Sequence, residues 1–382
     1  VPATPEEIAG MVPPTAERLV PLDFIRGICL IVITLNHYSL LANLLGYAGK
    51  AIWTPTTLGY SSSAELFFFI SGYLVGAVYA QPGRSAGLSF VRLSHRAGHL
   101  YLYNALAFLC LLALCGLLPQ AIAAQLRMGE LVSNPHHAVQ AFLLLRDSPP
   151  LLDVLQIYVI FLLACIPLVP LVIRWPWAVL SASISLYGAS QWHSVAETLG
   201  QPIDSGYFNR YAWQLLFIGG IVGGRLHALQ RLQDWARQPR IALIVLGLLA
   251  ALTVFFLVDR RLVPLTDMRW WDKRDLAPLR LAHAGLVLFA WFWLCELLRR
   301  PWLSARGGHQ VLDACCTLGR QSLEMFTFGI GLSYAGALLL RMVGLTLVPY
   351  LAIATLLTVL VWLFARYLRL RHLLVMAPMA AT

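Results

Sequence analysis

Ten apolar runs, each close to the length of a membrane-crossing helix, leave this chain few ways to fold. They lie at about 24–45, 58–80, 98–118, 151–173, 176–193, 208–224, 241–258, 279–298, 321–340 and 346–365. Roughly 20 apolar residues cover the hydrocarbon core as a helix. Within lipid every backbone N–H and C=O must find a partner inside the protein, which only helices and closed barrels provide. No strict alternation of apolar and polar residues runs through these segments, which argues against a barrel. Only 12% of the residues are charged, against roughly a quarter in a soluble domain. The expected fold is all-α: a polytopic transmembrane bundle of about ten spans.

Residues 1–20 are rich in Pro and Glu and hold no apolar core, so no cleavable signal is expected ahead of the first span. They read as a cytoplasmic segment, followed by a single membrane domain over 21–370 and a cytoplasmic tail at 371–382. Most of the 28 Lys and Arg residues fall in loops that are cytoplasmic if the N-terminus is inside, as the positive-inside rule requires. Both termini are therefore expected in the cytoplasm, and the net charge of +10 needs no nucleic-acid partner. The seven cysteines lie in spans or on the inner side, a placement that does not suggest a disulfide framework. Neither HExxH, nor CxxC pairs, nor a Walker-type glycine loop is present, so no metal and no tightly bound cofactor are expected. The oligomeric state is not legible.

The first span, "DFIRGICLIVITLNHY", carries charges that a lipid-facing helix would not tolerate cheaply. Arg26 and His37 are eleven residues apart, about three turns and 16.5 Å of rise, and so share one helical face. Asp23 precedes Arg26 by one turn and can pair with it. Taken singly, Arg26 can be a snorkelling anchor and His37 a helix-to-helix hydrogen bond. Together they describe a groove from the cytoplasmic surface to mid-membrane. In the second span, Glu65 sits at about the depth of His37 and could orient its imidazole, or could be satisfied by Ser62 or Ser63. Gly72 and Gly76 form a GxxxG helix-packing surface. Arg92 and Arg96, one turn apart on the inner side, suit either a phosphate group or anionic lipid headgroups.

Asp23-x2-Arg26-x10-His37, "AELFFFISGYLVG" and "LGRQSLEMF" resemble the acyltransferase-3 superfamily of integral membrane acyl-group transferases. More narrowly, "VLQIYVIFLLACIPLV", "FNRYAWQLLFIGGIVGG" and "LAPLRLAHAGLVLFAW" look like its OpgC-type branch, which places succinyl groups on periplasmic glucans. Arg210 stands where the branch tends to have proline. The resemblance implies an enzyme of the bacterial inner membrane that takes an acyl group, succinyl or acetyl, from cytoplasmic acyl-CoA as co-substrate. The group would pass to a hydroxyl of an extracytoplasmic glucan or other polysaccharide. His37 and Glu65 would then be catalytic, and Arg26, Asp23, Arg92, Arg96 and Ser71 would bind the donor. Asn209, Trp213, Gln214, Tyr158 and His283, at the outer ends of spans, are candidates for the acceptor as a cluster, though each taken singly reads more readily as structural polar packing. Ser322 reads as a helix cap or a donor contact. A secondary transporter or glycan exporter, using the same charges as a relay, is the alternative.

Overall fold

The computed structural model describes residues 20–192, 208–304 and 306–376. Apart from Val20, the expected N-terminal segment lies outside them, as do residues 377–382 of the expected tail. The helices are α1 (Val20–Leu44), α2 (Ser63–Tyr79), α3 (Ala86–Leu117), α4 (Gln120–Gln125), α5 (Gly129–Ser133), α6 (Pro135–Leu143), α7 (Asp153–Arg174) and α8 (Pro176–Ser190). They continue with α9 (Arg210–Arg225), α10 (Ala228–Ala236), α11 (Pro239–Arg261), α12 (Pro278–Ser304), α13 (Arg306–Arg320), α14 (Ser322–Val343) and α15 (Leu347–Met376). The fold is an all-α, multi-spanning membrane bundle. Among the described residues seven helices are long and apolar enough to cross a membrane: α1, α3, α7, α11, α12, α14 and α15. The other three expected spans are also helical but shorter, with 17 residues in α2, 15 in α8 and 16 in α9. The loop between α3 and α7 folds into the short helices α4 to α6, and α15 continues to Met376, into the segment expected as a tail.

Local chemistry sets the helix ends. Ser62 precedes α2 in a capping box: its backbone N–H and hydroxyl both donate to Glu65 Oε2, at 2.8 and 2.7 Å. Ser85 and Asn134 accept from backbone N–H groups at the starts of α3 and α6. Asn209 does so twice for α9. Prolines open α6, α8 and α11, where a missing N–H costs nothing.

Helix α1 runs through the middle of the bundle, packed on α13 and α14, while α2 packs on α9 and α3 on α7. The α2–α9 crossing explains the glycines foreseen at 72 and 76. A Cβ at Gly72 would overlap the Phe217 carbonyl oxygen and one at Gly76 that of Ile221. Gly220 and Gly224, a second GxxxG on α9, meet the Phe69 and Tyr73 carbonyls in the same way. Two small-residue stripes thus bring two backbones into direct contact, and both obstructing groups are backbone, which cannot rotate aside. Gly72→Leu is expected to destabilise by more than the ~1–3 kcal/mol usual for overpacking, read as a fall in melting temperature of the detergent-solubilised protein. An unchanged melting temperature would mean that the two helices do not approach this closely. The same device recurs where α1 crosses α13: Gly27 lies on the Cys315 carbonyl and Gly319 on that of Asp23.

Candidate active site

Two cavities open beside α1. The first, about 480 Å³, is lined by Arg26 from α1, Arg92, His95, Arg96 and His99 from α3, Tyr158 from α7 and Ser322 from α14. The second, about 670 Å³, holds His37 and Asn36 from α1 together with Ser62, Ser63, Arg127, Asp147, Asp153 and Lys273. Phe67 and Phe326 line both. The stripe joining Arg26 to His37 therefore runs past two chambers, with an arginine cavity at one end and a histidine cavity at the other.

The arginine cavity gathers cations by helical spacing. Arg92, His95, Arg96 and His99 recur at three- and four-residue steps on α3, so they share a face. Arg92, His95 and His99 are exposed, Arg96 lies deeper, and Arg26 is only 6% exposed. Arg96 Nη2 donates to the Tyr158 hydroxyl at 3.1 Å. Arg26 donates through Nη2 to Ser322 Oγ, at the first residue of α14. Its Nε is buried with no hydrogen-bond partner among the described residues. A buried guanidinium donor left unmatched is costly unless an anionic or carbonyl oxygen occupies the cavity.

The histidine cavity differs. His37 Nδ1 is buried without a hydrogen-bond partner among the described residues, and the ring packs edge-on against Phe326 at 6.2 Å. Asn36 bonds to Thr54 and Thr56. Two non-glycine residues on this wall, Arg127 and Leu151, hold the left-handed backbone conformation, with φ of 58° and 75°. Such strain concentrates where surrounding structure fixes a functional surface. Lys273 reaches the cavity from the loop before α12, with its ammonium 5.4 Å from the Phe208 ring. Burial pushes that ammonium below its ordinary pKa, opposed by the charge of Glu65.

The pairing expected between Glu65 and His37 is replaced by another. Glu65, fully buried, accepts from Arg280 Nε at 2.9 Å and Nη2 at 2.6 Å on one oxygen, and from Ser62 on the other. A guanidinium outcompetes an imidazole for a carboxylate because it brings forked donors and a permanent charge. Arg280 gave a signal in the sequence: an arginine at the head of an apolar run, three residues before His283.

The remaining expected site residues divide by what holds them. Arg92 and Arg96 reach the arginine cavity together with Arg26. Tyr158, expected beside the acceptor, lines this cavity instead, because it lies more than a turn inside α7 and points its hydroxyl at Arg96. Asp23 reaches Arg320 on α13 at 3.3 Å, and Ser71 is buried with its hydroxyl unpartnered among the described residues. Neither lines the arginine cavity or the histidine cavity.

Asn209 and Trp213 serve the loop before α12, and Gln214 ties α9 to α8. Asn209 donates to Asp275 at 2.9 Å, and the Trp213 indole N–H donates to the Lys273 and Arg274 carbonyls at 3.1 Å each. Gln214 is spent on Ser183. His283 Nδ1 meets the Ser61 hydroxyl at 2.6 Å, and the ring packs on Gly59. None of these four lines the histidine cavity; Asn209 and Trp213 hold the Lys273 loop that does, and His283 holds Ser61 beside Ser62. Sequence reasoning gave no role to Lys273, Arg127, Asn36, Phe67 or Phe326, although Asn36 lies in "DFIRGICLIVITLNHY", Phe67 in "AELFFFISGYLVG" and Phe326 in "LGRQSLEMF". Among the described residues no group of three or more His, Cys, Asp or Glu side chains converges as a metal site would need.

Fold and site together define an integral membrane protein with a cationic chamber and an imidazole-bearing chamber sharing one wall. A family model described as "OpgC protein" matches residues 18–372. The chain belongs to this OpgC family, within the acyltransferase-3 group, over most of its length. Membership supports acyl transfer as its general activity and is consistent with the bacterial inner membrane. No curated protein and no solved structure matches the chain.

Proposed function

We propose that the protein is an O-acyltransferase that carries a succinyl or acetyl group from cytoplasmic acyl-CoA to a hydroxyl of an extracytoplasmic glucan or other polysaccharide. In this reading the chain makes ten spans with both termini cytoplasmic, residues 21–370 form one catalytic domain, and the arginine cavity faces the cytoplasm. The observation that carries the reading is the placement of Arg26 and His37, on one helical face, in two chambers that share a wall.

Arg92, Arg96 and Arg26 hold the donor's phosphates and the head of its pantetheine arm, and the Arg26 Nε, without a partner among the described residues, is the donor left for them. His37 takes the proton of the acceptor hydroxyl, whose oxygen attacks the thioester carbonyl carbon. The new C–O bond forms as the C–S bond breaks, and the proton on the imidazole passes to the departing thiolate. A neutral imidazole has a ring nitrogen that accepts a proton and, once protonated, an N–H that returns it, which suits both halves of that transfer. Glu65 supports this chemistry by fixing Arg280, and Asn209 and Trp213 by fixing the Lys273 loop.

The test is transfer of a labelled acyl group from acyl-CoA to a glucan oligosaccharide by the purified protein in nanodiscs. Glucan movement across vesicles with no thioester consumed would instead favour a transporter. Arg92→Ala combined with Arg96→Ala is expected to weaken CoA binding by about tenfold or more, since a hydrogen bond to a charged group contributes roughly 1.5–3 kcal/mol. The CoA-induced thermal shift measures it, and an undiminished shift removes both arginines from the donor site.

A further inference from the structure

We propose that Phe67 and Phe326 form the aperture through which the acyl group passes from the arginine cavity to His37, and that the space between their rings limits the acyl chain the reaction accepts. This rests on the acyl-transfer reading and adds a selectivity element to it. Phe67 and Phe326 are the two residues common to the walls of both cavities. Their ring centroids are 6.0 Å apart, tilted by 30°, within the range of rings in contact. On one side the Arg26 guanidinium lies 5.9 Å from the Phe67 centroid. On the other, the His37 ring stands edge-on to Phe326 at 6.2 Å. Arg26, Phe67, Phe326 and His37 thus form an unbroken series of neighbours from donor chamber to base.

Chemistry requires something of this kind between the chambers. If they were continuous, water would join the two faces of the membrane and reach the thioester, giving hydrolysis in place of transfer. Two apolar rings in contact exclude water, yet can swing apart about their side-chain torsions for a slender acyl group. The group arrives from the Phe67 side, parts the rings, and presents its carbonyl carbon to an oxygen activated by His37. The thiolate then leaves on the side from which it came. Length selects here: every methylene beyond the carbonyl must pass between two aromatic faces before that carbonyl can reach His37, whereas the rest of the coenzyme never needs to.

The experiment compares saturated acyl-CoA donors of two, four, six and eight carbons, with a glucan oligosaccharide as acceptor and thiol release plus product mass as readouts. Phe326→Leu and Phe67→Leu are expected to raise the eight-carbon to two-carbon rate ratio by about tenfold or more, the scale on which a pocket discriminates methylenes. Phe326→Trp is expected to lower it. The CoA-induced thermal shift should persist in all three, which separates an altered aperture from a collapsed fold. Unchanged ratios in the active variants overturn the aperture and leave acyl transfer standing. So does loss of turnover on every donor in both leucine variants while CoA binding persists. Wild-type protein that consumes no donor of any length overturns acyl transfer and the aperture together. If Phe326→Leu fails to fold, Phe67→Leu and Phe326→Trp decide the matter by the same ratios.

Discussion

His37→Ala is expected to lower acyl transfer by about 10²- to 10⁴-fold, the range that a positioned general base contributes, while the CoA-induced thermal shift stays at its wild-type size. The two halves of this result come from different chambers. His37 lines the histidine cavity and not the arginine cavity, so its removal takes away the base without touching the guanidiniums that hold the donor. Nor is the ring a structural tie: its Nδ1 has no hydrogen-bond partner among the described residues, so truncation breaks no bond from that atom. A histidine used for helix packing would behave in the opposite way, with stability lost and turnover per folded molecule kept. His37→Ala protein that transfers acyl groups at the wild-type rate would remove the imidazole from the chemistry, and the proposed mechanism with it.

The sequence made the helices legible for one physical reason: in lipid the backbone has no partner but itself, so about 20 apolar residues in a row dictate a helix whatever packs against it. Each of the ten expected runs is helical, and what the pattern could not show was length. The runs at 58–80, 176–193 and 208–224 look as apolar as the others, yet α2, α8 and α9 stop at 17, 15 and 16 residues. Spacing along one helix was legible as well. Arg26 with His37 and Arg92 with Arg96 share faces through the 3.6-residue period alone, and each pair lines cavities as that period requires.

Pairing between helices was not legible, because a single sequence carries depth but no azimuth. Counting along the spans puts Glu65 and His37 at similar depth, but Arg280, 215 residues from Glu65 along the chain, holds that carboxylate. The GxxxG at Gly72 and Gly76 declared a close crossing without naming Gly220 and Gly224 as the other half. Polar residues at helix ends posed a similar ambiguity. Asn209, Trp213 and Gln214 have the side chains a sugar site would use, yet their donors are spent on Asp275, the Lys273 and Arg274 carbonyls, and Ser183. Composition cannot separate a residue that faces a cavity from one that anchors the loop behind it.

The Glu65–Arg280 pair sets the second large expectation. Glu65→Ala, or Arg280→Ala, is expected to destabilise the protein by about 3–5 kcal/mol, the cost of leaving one charge of a buried pair without its partner. Glu65 has no exposure and all four of its hydrogen bonds are accounted for: two from Arg280 to one oxygen, and two from Ser62 to the other. Losing the carboxylate therefore strands a guanidinium at the N-terminal end of α12 and removes the capping box of α2 in one step. Losing Arg280 strands the carboxylate but spares the cap, so Arg280→Ala with Glu65→Gln should recover part of the loss, because the glutamine carbonyl can still accept from Ser62 while no charge remains. Melting temperatures in detergent across Glu65→Gln, Arg280→Ala and their double variant form the measurement, and the coupling between the sites is the quantity of interest. If Glu65 acted mainly by orienting His37, Glu65→Gln would instead cut turnover with little change in melting temperature, and Arg280→Ala would leave both near wild type. Strict additivity of the two substitutions would mean that the ion pair contributes nothing, and that α2 and α12 are held together by their apolar contacts alone.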